Sequence, residues 1–230
     1  MIKIIGFDAD DTLWHNESIF DRAQERYRGL LARHHDATAV NRALFATEMR
    51  NLRLYGYGVK GFMLSAVETA IELTQGAISA SEIREILALG QEMLAHPVEL
   101  LPGVGEVVPA LARDFRLVLI TKGDLRDQER KIAASGLAGH FSAIEILSEK
   151  DGAAYDRVLR RQGIAPAEFA MVGNSVKSDI LPVLALGGAG VHIPYHLMWQ
   201  HEHVAETPCD HPRFRQVERI DQLSGVMPGL

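Results

Sequence analysis

The 230-residue chain has a single cysteine, no excess of basic residues and no long hydrophobic run. Cys209 cannot form an internal disulfide, which favours a reducing, cytoplasmic environment. The formal net charge of -6 argues against nucleic acid as the main partner, because no basic stripe is present to neutralise phosphates. No apolar stretch is long enough to cross a bilayer, and Asp8 interrupts the short N-terminal run, so we expect neither a membrane partner nor a secretory signal.

The chain does have the composition of a globular protein and a clear alternation of predicted strands and helices. Hydrophobic residues make up 47% of it, enough for a buried core. Short apolar runs predict strands at about residues 4–7, 116–120, 143–147, 169–172 and 190–193, the last of the chain. Helices are predicted near residues 104–114, 125–135, 154–162 and 181–186. This alternation predicts an α/β fold with a Rossmann-like parallel sheet and helices on both faces.

A long helical region separates the first predicted strand from the second. Apolar residues recur there at helical spacing, and Ser81 with Glu82 after it predicts one helix start. We therefore predict a helical cap inserted in the core. The cap would span residues 15–97, and the α/β core residues 1–14 and 98–230.

Polar residues follow each predicted strand. They are Asp8, Asp10 and Asp11 after the first, Thr121 and Lys122 at the second, Lys150 after the third, and Asn174 and Asp179 after the fourth. Because the carboxyl ends of parallel strands share one edge, these groups should meet there. Crowded carboxylates oppose one another's ionisation, and a bound Mg2+ would relieve this. A dianionic phosphate beside Mg2+ would suit this set of groups.

The order and spacing of these residues resemble the haloacid dehalogenase-like (HAD) hydrolases over the whole chain. The segment from Asp8 to Thr12 matches the specific first motif, Asp-x-Asp-x-Thr. Thr121 and Lys150 match the second and third motifs. The fourth, Gly-Asp-x-x-x-x-Asp, departs at Asn174, where the family usually has aspartate. An insert between the first two motifs resembles the branch of the family that has a helical cap.

The resemblance implies catalytic roles for the two aspartates of the first motif. Asp8 would attack phosphorus and form an aspartyl-phosphate. Asp10 would protonate the leaving oxygen and then take a proton from the hydrolytic water. For the first of these steps Asp10 must hold a proton near neutral pH, which we expect burial and neighbouring carboxylates to favour. Thr121 and Lys150 would complete the catalytic set by binding the phosphoryl oxygens.

The resemblance also implies a metal site and a substrate site. Mg2+ would be held by Asp8, the backbone carbonyl of Asp10, Asn174 and Asp179. Substrate-binding candidates are Thr121, Lys122 and Lys150 in the core, and Arg53 and Lys60 beside a glycine-containing break in the cap.

The combined prediction is a Mg2+-dependent hydrolase of small phosphate monoesters, acting on a phosphorylated metabolite. A phosphomutase would share the aspartyl-phosphate, and no residue decides between water and a sugar as the acceptor. Dehalogenases of the family lack the second aspartate, so Asp10 favours the phosphatase. Asn174 leaves open a non-catalytic binding protein on the same scaffold.

Each residue also has a structural alternative: a strand-end turn for the aspartates, a helix cap for Thr121, and solvent exposure for Lys150, Arg53 and Lys60. The sequence does not indicate an oligomeric state.

Overall fold

The computed structural model describes residues 1–230 and contains one six-stranded parallel sheet. The strands are β1 (Ile4–Phe7), β2 (Arg116–Lys122), β3 (Ala143–Leu147), β4 (Phe169–Gly173), β5 (Ala189–His192) and β6 (Phe214–Gln216). Their order across the sheet is β3-β2-β1-β4-β5-β6, and every neighbouring pair is parallel. The predicted Rossmann-like α/β class is confirmed.

The α-helices fall into two groups along the chain. Four lie between β1 and β2: α1 (Glu17–Leu31), α2 (Ala37–Tyr55), α3 (Val59–Leu73) and α4 (Ala80–Ala95). The others alternate with the remaining strands or follow them: α5 (Val104–Leu111), α6 (Leu125–Ala134), α7 (Gly152–Arg161), α8 (Leu181–Ala185) and α9 (Leu223–Val226). None of these helices has the length and apolar content needed to cross a membrane.

The chain divides into two compact units. An α/β unit contains Met1–Glu17, Val98–Lys122 and Gln128–Leu230, and a helical unit contains Ser18–Pro97 with Gly123–Asp127. The helical unit has its own apolar core, in which Tyr27, Leu31 and Val40 are completely buried. In the α/β unit, the segments that lead to and from the helical insert are bonded to each other, since His15 N donates to Glu99 O and Leu101 N to Leu13 O.

The parallel strands bury both faces of the sheet, and successive side chains alternate between them. Ile5 and Phe7 of β1 belong to the core cluster that includes α5 and α9, whereas Ile4 belongs to the cluster that includes α7. In β2, Leu119 belongs to the first of these clusters and Ile120 to the second. Two-sided burial explains why these strands read in the sequence as continuous apolar runs.

Gly6 interrupts the apolar run of β1 because its neighbour leaves no space for a side chain. A Cβ built on Gly6 would lie 2.4 Å from the Phe169 ring and 2.9 Å from Met171 Sδ. Phe169 is fully buried, so its ring has no free volume into which to move. Glycine at this position therefore permits close packing between β1 and β4.

The structure adds a strand that the sequence does not predict and moves the start of one helix. The strand at β5 is not the last, because the three-residue β6 pairs with it after a connection of residues 193–213 that contains no α-helix. Helix α4 begins at Ala80, with Ser79 as its N-cap, instead of at Ser81. The Ser79 hydroxyl accepts from Glu82 N while the Glu82 carboxylate accepts from Ser79 N, and this reciprocal capping box fixes the earlier start.

The packing at Gly6 predicts the effect of adding one methyl group. Gly6→Ala should lower the free energy of unfolding by about 1–3 kcal/mol, the usual cost of overpacking a core. Gly152→Ala is the matched control in the same unit, since no atom lies within 4 Å of a Cβ placed there. Urea unfolding curves of the two variants measure the difference. Equal midpoints would contradict the steric argument.

Candidate active site

The strand order places the topological switch point of the sheet at β1, which has β2 on one side and β4 on the other. Ligands of open α/β sheets bind outside the carboxyl end of the strand at this point. Asp8 is the first residue beyond β1, and its backbone N–H donates to Val172 O of β4 at 2.9 Å. Thr121 is buried near the carboxyl end of the neighbouring β2.

A buried lysine joins two carboxylates at this edge. The Lys150 ammonium donates to Asp8 Oδ1 at 2.5 Å and to Asp179 Oδ1 at 2.7 Å. Lys150 is 3% exposed and Asp179 is 1% exposed. The structure thus brings together three residues that the sequence places at the ends of different strands.

The three charges set the electrostatics of the site. Burial, opposed by Lys150 and reinforced by Asp179, raises the pKa of Asp8 to about 7. Burial alone would lower the pKa of Lys150, but Asp179 and Asp8 outweigh it and raise this pKa above its usual value. Two buried carboxylates facing one ammonium carry a net negative charge when all three groups are ionised, so additional positive charge would stabilise the carboxylate form of Asp8.

Thr12 connects the first and fourth motifs. Its hydroxyl donates to Asp8 Oδ2 at 2.9 Å and accepts from Asn174 N at 3.1 Å. The Asn174 carbonyl oxygen lies 3.0 Å from His192 Nε2. Asn174 is therefore held through its backbone by a threonine and a histidine, and its side-chain oxygen lies 3.3 Å from the Thr12 hydroxyl.

Gly173 allows Asp179 to lie close to the end of β4. A Cβ on Gly173 would be 2.1 Å from Asp179 Oδ2 and 2.3 Å from its carboxyl carbon. Asp179 lies in a π-helical turn, Val176–Ile180, and its Oδ2 accepts from Ser175 N at 3.0 Å. The glycine of the fourth motif thus leaves space for the carboxylate that Lys150 contacts.

The Asp10 carboxylate has a separate set of partners. Lys131 Nζ contacts its two oxygens at 2.6 and 2.7 Å, Gln128 Nε2 donates to Oδ2 at 2.8 Å, and Trp14 Nε1 donates to Oδ1 at 2.7 Å. The sequence predicts that burial and neighbouring carboxylates act on Asp10, whereas in the structure its nearest charged partner is the Lys131 ammonium. The physical reason is that α6 directs Lys131 toward the first motif.

Asp11 has a structural role at the turn after β1. Its φ of 61° lies in the left-handed region, which aspartate tolerates better than most residues. Its carboxylate accepts from Asn16 N at 2.8 Å and from Glu17 N at 3.0 Å, at the start of α1. Burial, reinforced by Asp10, raises the pKa of Asp11 to about 8 against these hydrogen bonds.

The three neighbouring aspartates therefore do not share one cation. Asp8 contacts Lys150, Asp10 contacts Lys131, and Asp11 contacts backbone N–H groups. No three His, Cys, Asp or Glu side chains lie close enough together to hold a metal ion by themselves. The three aspartates of this segment thus have different partners, and the buried negative charge that Lys150 contacts comes from Asp8 and Asp179.

A glutamate from the β5–β6 connection contacts Lys122. Glu202 Oε1 accepts from Lys122 Nζ at 2.7 Å, and Oε2 accepts from the hydroxyls of Ser175 at 2.5 Å and Ser178 at 2.6 Å. Burial would raise the pKa of Glu202, but Lys122 and the two serines outweigh burial and lower this pKa to about 2. The predicted substrate-binding ammonium of Lys122 is thus engaged with a protein carboxylate.

The two candidates from the predicted cap lie in the helical unit. Arg53 is exposed near the end of α2, and Lys60 is exposed in the first turn of α3. Lys60 Nζ contacts both carboxylate oxygens of Asp124 at 3.0 Å, and Asp124 belongs to the same unit.

Five residues that surround the predicted site were not among its candidate residues: Thr12, Gln128, Lys131, Tyr155 and Glu202. Tyr155 of α7 is completely buried, and burial together with Asp179 and Asp8 raises its pKa well above the usual value. Thr12 belongs to the first motif and was recognisable there. The other four look in the sequence like ordinary helix or loop residues, since no local pattern shows that they are buried.

The Glu202 contacts predict a pH-dependent contribution to stability. Because the folded-state pKa is below the unfolded value, the contribution is present above about pH 4.5 and is lost as the pH falls toward 2. Glu202→Gln should lower the free energy of unfolding at pH 7 by about 2–3 kcal/mol, and the difference from wild type should shrink below pH 4. Denaturant titrations between pH 2 and 7 measure it. Glu206→Gln, which changes an exposed residue of the same connection, is the control. If the stability difference between Glu202→Gln and wild type did not depend on pH, the lowered pKa of Glu202 would be contradicted.

Comparison with known proteins connects this geometry to a family. The model of the haloacid dehalogenase-like hydrolase family matches residues 2–187. A crystal structure of a haloacid dehalogenase-like family hydrolase from Xanthomonas campestris is 43% identical, with a TM-score of 0.89, over 99% of this chain and 91% of that one.

More distant relatives include two kinds of hydrolase. Human N-acylneuraminate-9-phosphatase is 22% identical over an alignment of 196 residues that covers 78% of this chain and 77% of that protein. A 2-haloacid dehalogenase from Pseudomonas syringae pv. Tomato has the same fold, with a TM-score of 0.64 and 20% identity over 99% of both chains. The family match over most of the chain, together with the strand-end motifs and the parallel sheet, shows that this protein is an enzyme of the haloacid dehalogenase-like hydrolase family.

Proposed function

We propose that this protein is a Mg2+-dependent phosphatase that hydrolyses small phosphate monoesters through an aspartyl-phosphate on Asp8. The observation that carries the proposal is the position of the Asp8 carboxylate at the switch point of the sheet, in contact with Lys150 and beside Asp179. A nucleophilic carboxylate with an adjacent buried ammonium suits an anionic substrate, because Lys150 can attract the phosphoryl group toward Asp8.

Asp10 supports phosphate ester hydrolysis over dehalogenation. A carboxyl group two residues after the nucleophile can act as the acid that an alkoxide leaving group needs, whereas a halide leaves without a proton. The name of the distant human relative, N-acylneuraminate-9-phosphatase, is consistent with phosphate ester hydrolysis. The 2-haloacid dehalogenase shares the fold at 20% identity and carries no argument about the reaction.

In the first step an Asp8 oxygen attacks phosphorus while the bond between phosphorus and the ester oxygen breaks. Asp10 gives its proton to the departing oxygen, so the alcohol leaves neutral and Asp10 becomes a carboxylate. Thr121 and Lys150 bind the phosphoryl oxygens, and we infer that Lys150 exchanges part of its contact with Asp8 for the substrate.

In the second step Asp10 takes a proton from water as the water oxygen attacks phosphorus. The bond between phosphorus and the Asp8 oxygen breaks, phosphate leaves, and Asp8 returns to its carboxylate form. Asp10 regains the proton that it lost, so the enzyme ends the cycle unchanged.

The donor atoms beside Asp8 fit Mg2+. Asp8 and Asp179 offer carboxylate oxygens, Asn174 offers an amide oxygen, and hard oxygen ligands are those that Mg2+ prefers. Burial and Asp179 raise the pKa of Asp8, and a bound cation would favour its carboxylate form. The Asp10 carboxylate contacts Lys131, so Asp10 would contribute its backbone carbonyl. When bound, Mg2+ supplies charge that neutralises and orients the phosphoryl oxygens.

We place substrate selection in the helical unit, with Arg53 and Lys60 as candidates for contacts to a small phosphorylated metabolite. Lys122 can bind substrate only by exchanging its contact with Glu202, because these two groups form a largely buried ion pair.

The nucleophile assignment predicts the behaviour of Asp8→Asn. Phosphate release from an aryl phosphate should fall below detection, since an amide cannot form the acyl-phosphate. Chelation of divalent cations should abolish wild-type activity, and added Mg2+ should restore it. Asp156→Asn, which removes an exposed carboxylate on α7, should retain activity. Wild-type turnover by Asp8→Asn would exclude Asp8 as the nucleophile.

The acid assignment predicts a dependence on the leaving group in Asp10→Asn. Turnover of an alkyl phosphate, whose alkoxide leaves poorly, should fall by roughly a hundredfold or more. An aryl phosphate with an electron-withdrawing ring should be affected less in the first step, because its phenoxide leaves without a proton. Single-turnover release of the two alcohols measures both rates. Equal losses on both substrates would exclude the assigned role.

A further inference from the structure

We propose that Lys131, assisted by Gln128, is a positioning residue that holds the Asp10 carboxyl group in the orientation required for proton transfer. The inference rests on the proposed function, since it concerns the group assigned there as the acid and base. It adds two residues from α6 to a site that the motifs place only at the ends of strands.

The geometry shows a complete set of donors around one side chain. Lys131 Nζ contacts both Asp10 oxygens, and Trp14 and Gln128 each contact one of them. A carboxylate has about four acceptor directions, so these four contacts fill them. Rotation of the Asp10 side chain would break several hydrogen bonds at once, which restricts it to one orientation.

Burial makes these contacts stronger than surface ion pairs. Lys131 is 7% exposed and Gln128 is 2% exposed, so water competes weakly for their donors. A buried ammonium needs a nearby counter-charge, and Asp10 supplies one. Exposed pairs such as Arg160 with Asp156 lack this property, because solvent screens them.

Gln128 ties this arrangement to the strand that carries Thr121. Its Nε2 lies 2.8 Å from Asp10 Oδ2 and 3.2 Å from the backbone oxygen of Lys122. Lys131 also donates to Asn16 Oδ1 at 3.2 Å, in the segment that follows the first motif. The two side chains thus hold Asp10 relative to both neighbouring parts of the site.

Proton delivery needs one oxygen of Asp10 to face the leaving group. Since the four contacts fill the acceptor directions of the carboxylate, a neutral donor, Trp14 or Gln128, gives up its contact to the oxygen that carries the proton. Lys131 contacts both oxygens and can keep one while the other carries the proton. This division of roles makes Lys131 the main positioning residue and Gln128 its assistant.

Lys131→Met tests the proposal by comparing two substrates. In single-turnover measurements, the rate constant of alcohol release from an alkyl phosphate should fall at least tenfold more than that from an activated aryl phosphate. The KM from steady-state measurements should change less than threefold for either substrate. Lys131→Arg should restore most of the alkyl phosphate activity, since it keeps the charge. Arg160→Met, which removes an exposed cation, should leave both rates unchanged.

A double substitution separates positioning from general damage. In an Asp10→Asn background, Lys131→Met should cause no further loss on the alkyl phosphate, because the group that it positions has already been disabled. Equal loss on both substrates, an additive loss in the double variant, or a gain in activity would each overturn the proposal. Gln128→Leu should show the same dependence on the leaving group at smaller amplitude, and it provides the test if Lys131→Met does not fold.

The indole N–H of Trp14 gives a readout that does not depend on activity. It donates to Asp10 at 2.7 Å, and Trp199 is the only other tryptophan in the chain. In 1H–15N spectra, Lys131→Met should shift or broaden the Trp14 indole resonance and leave that of Trp199 in place. An unchanged Trp14 resonance would contradict the proposal. Absence of phosphate release by the wild type would refute the proposed function, while the resonance would still report whether Lys131 orients Asp10.

Discussion

The contact of Lys150 with Asp8 and Asp179 is the interaction on which the site depends. Burying three charged groups carries a large desolvation cost, which is offset only when the groups face one another at short distance. Replacement of a whole buried ion pair or triad by well-packed apolar residues is often neutral for stability in other proteins. The presence of these three buried charges beside the end of β1 is therefore explained better by a role in chemistry than by a role in stability. The sheet supplies the rigid frame for Asp8, whose backbone N–H donates to Val172 O of β4, and the turn after β4 holds Asp179, whose backbone N–H donates to Ser175 O.

The turn after β1 shows how one short segment serves three purposes. Asp8 faces the buried lysine, Asp10 faces α6, and Asp11 binds the backbone at the start of α1. Asp11 has a positive φ in this turn, and its carboxylate contacts backbone N–H groups while burial, reinforced by Asp10, still raises its pKa. A like-charge cluster in sequence is thus resolved by directing each member to a different partner.

The connection between β5 and β6 contributes to the same edge without a recognisable motif. Glu202 joins Lys122 of β2 to two serines that follow β4, and so links the end of the strand that contains Thr121 to the segment that follows Asn174. The ion pair with Glu202 also limits what Lys122 can bind. A lysine that the sequence places beside a predicted phosphate site is not free to bind phosphate while it is paired with a buried carboxylate.

The sequence by itself determined the class of fold and the residues at the strand ends. Apolar runs with two-sided burial predict a parallel sheet, and parallel strands bring their carboxyl ends together, so Asp8, Thr121, Lys150 and Asp179 could be assigned to one edge. The short β6 and the start of α4 were missed or misplaced, because a three-residue strand has no detectable period and Ser79 and Ser81 both resemble caps. Only the tertiary structure decided the partners of Asp10 and Lys122. Long-range contacts such as those from Lys131 and Glu202 depend on which helix or loop packs against the strand ends, and local sequence patterns carry no information about that.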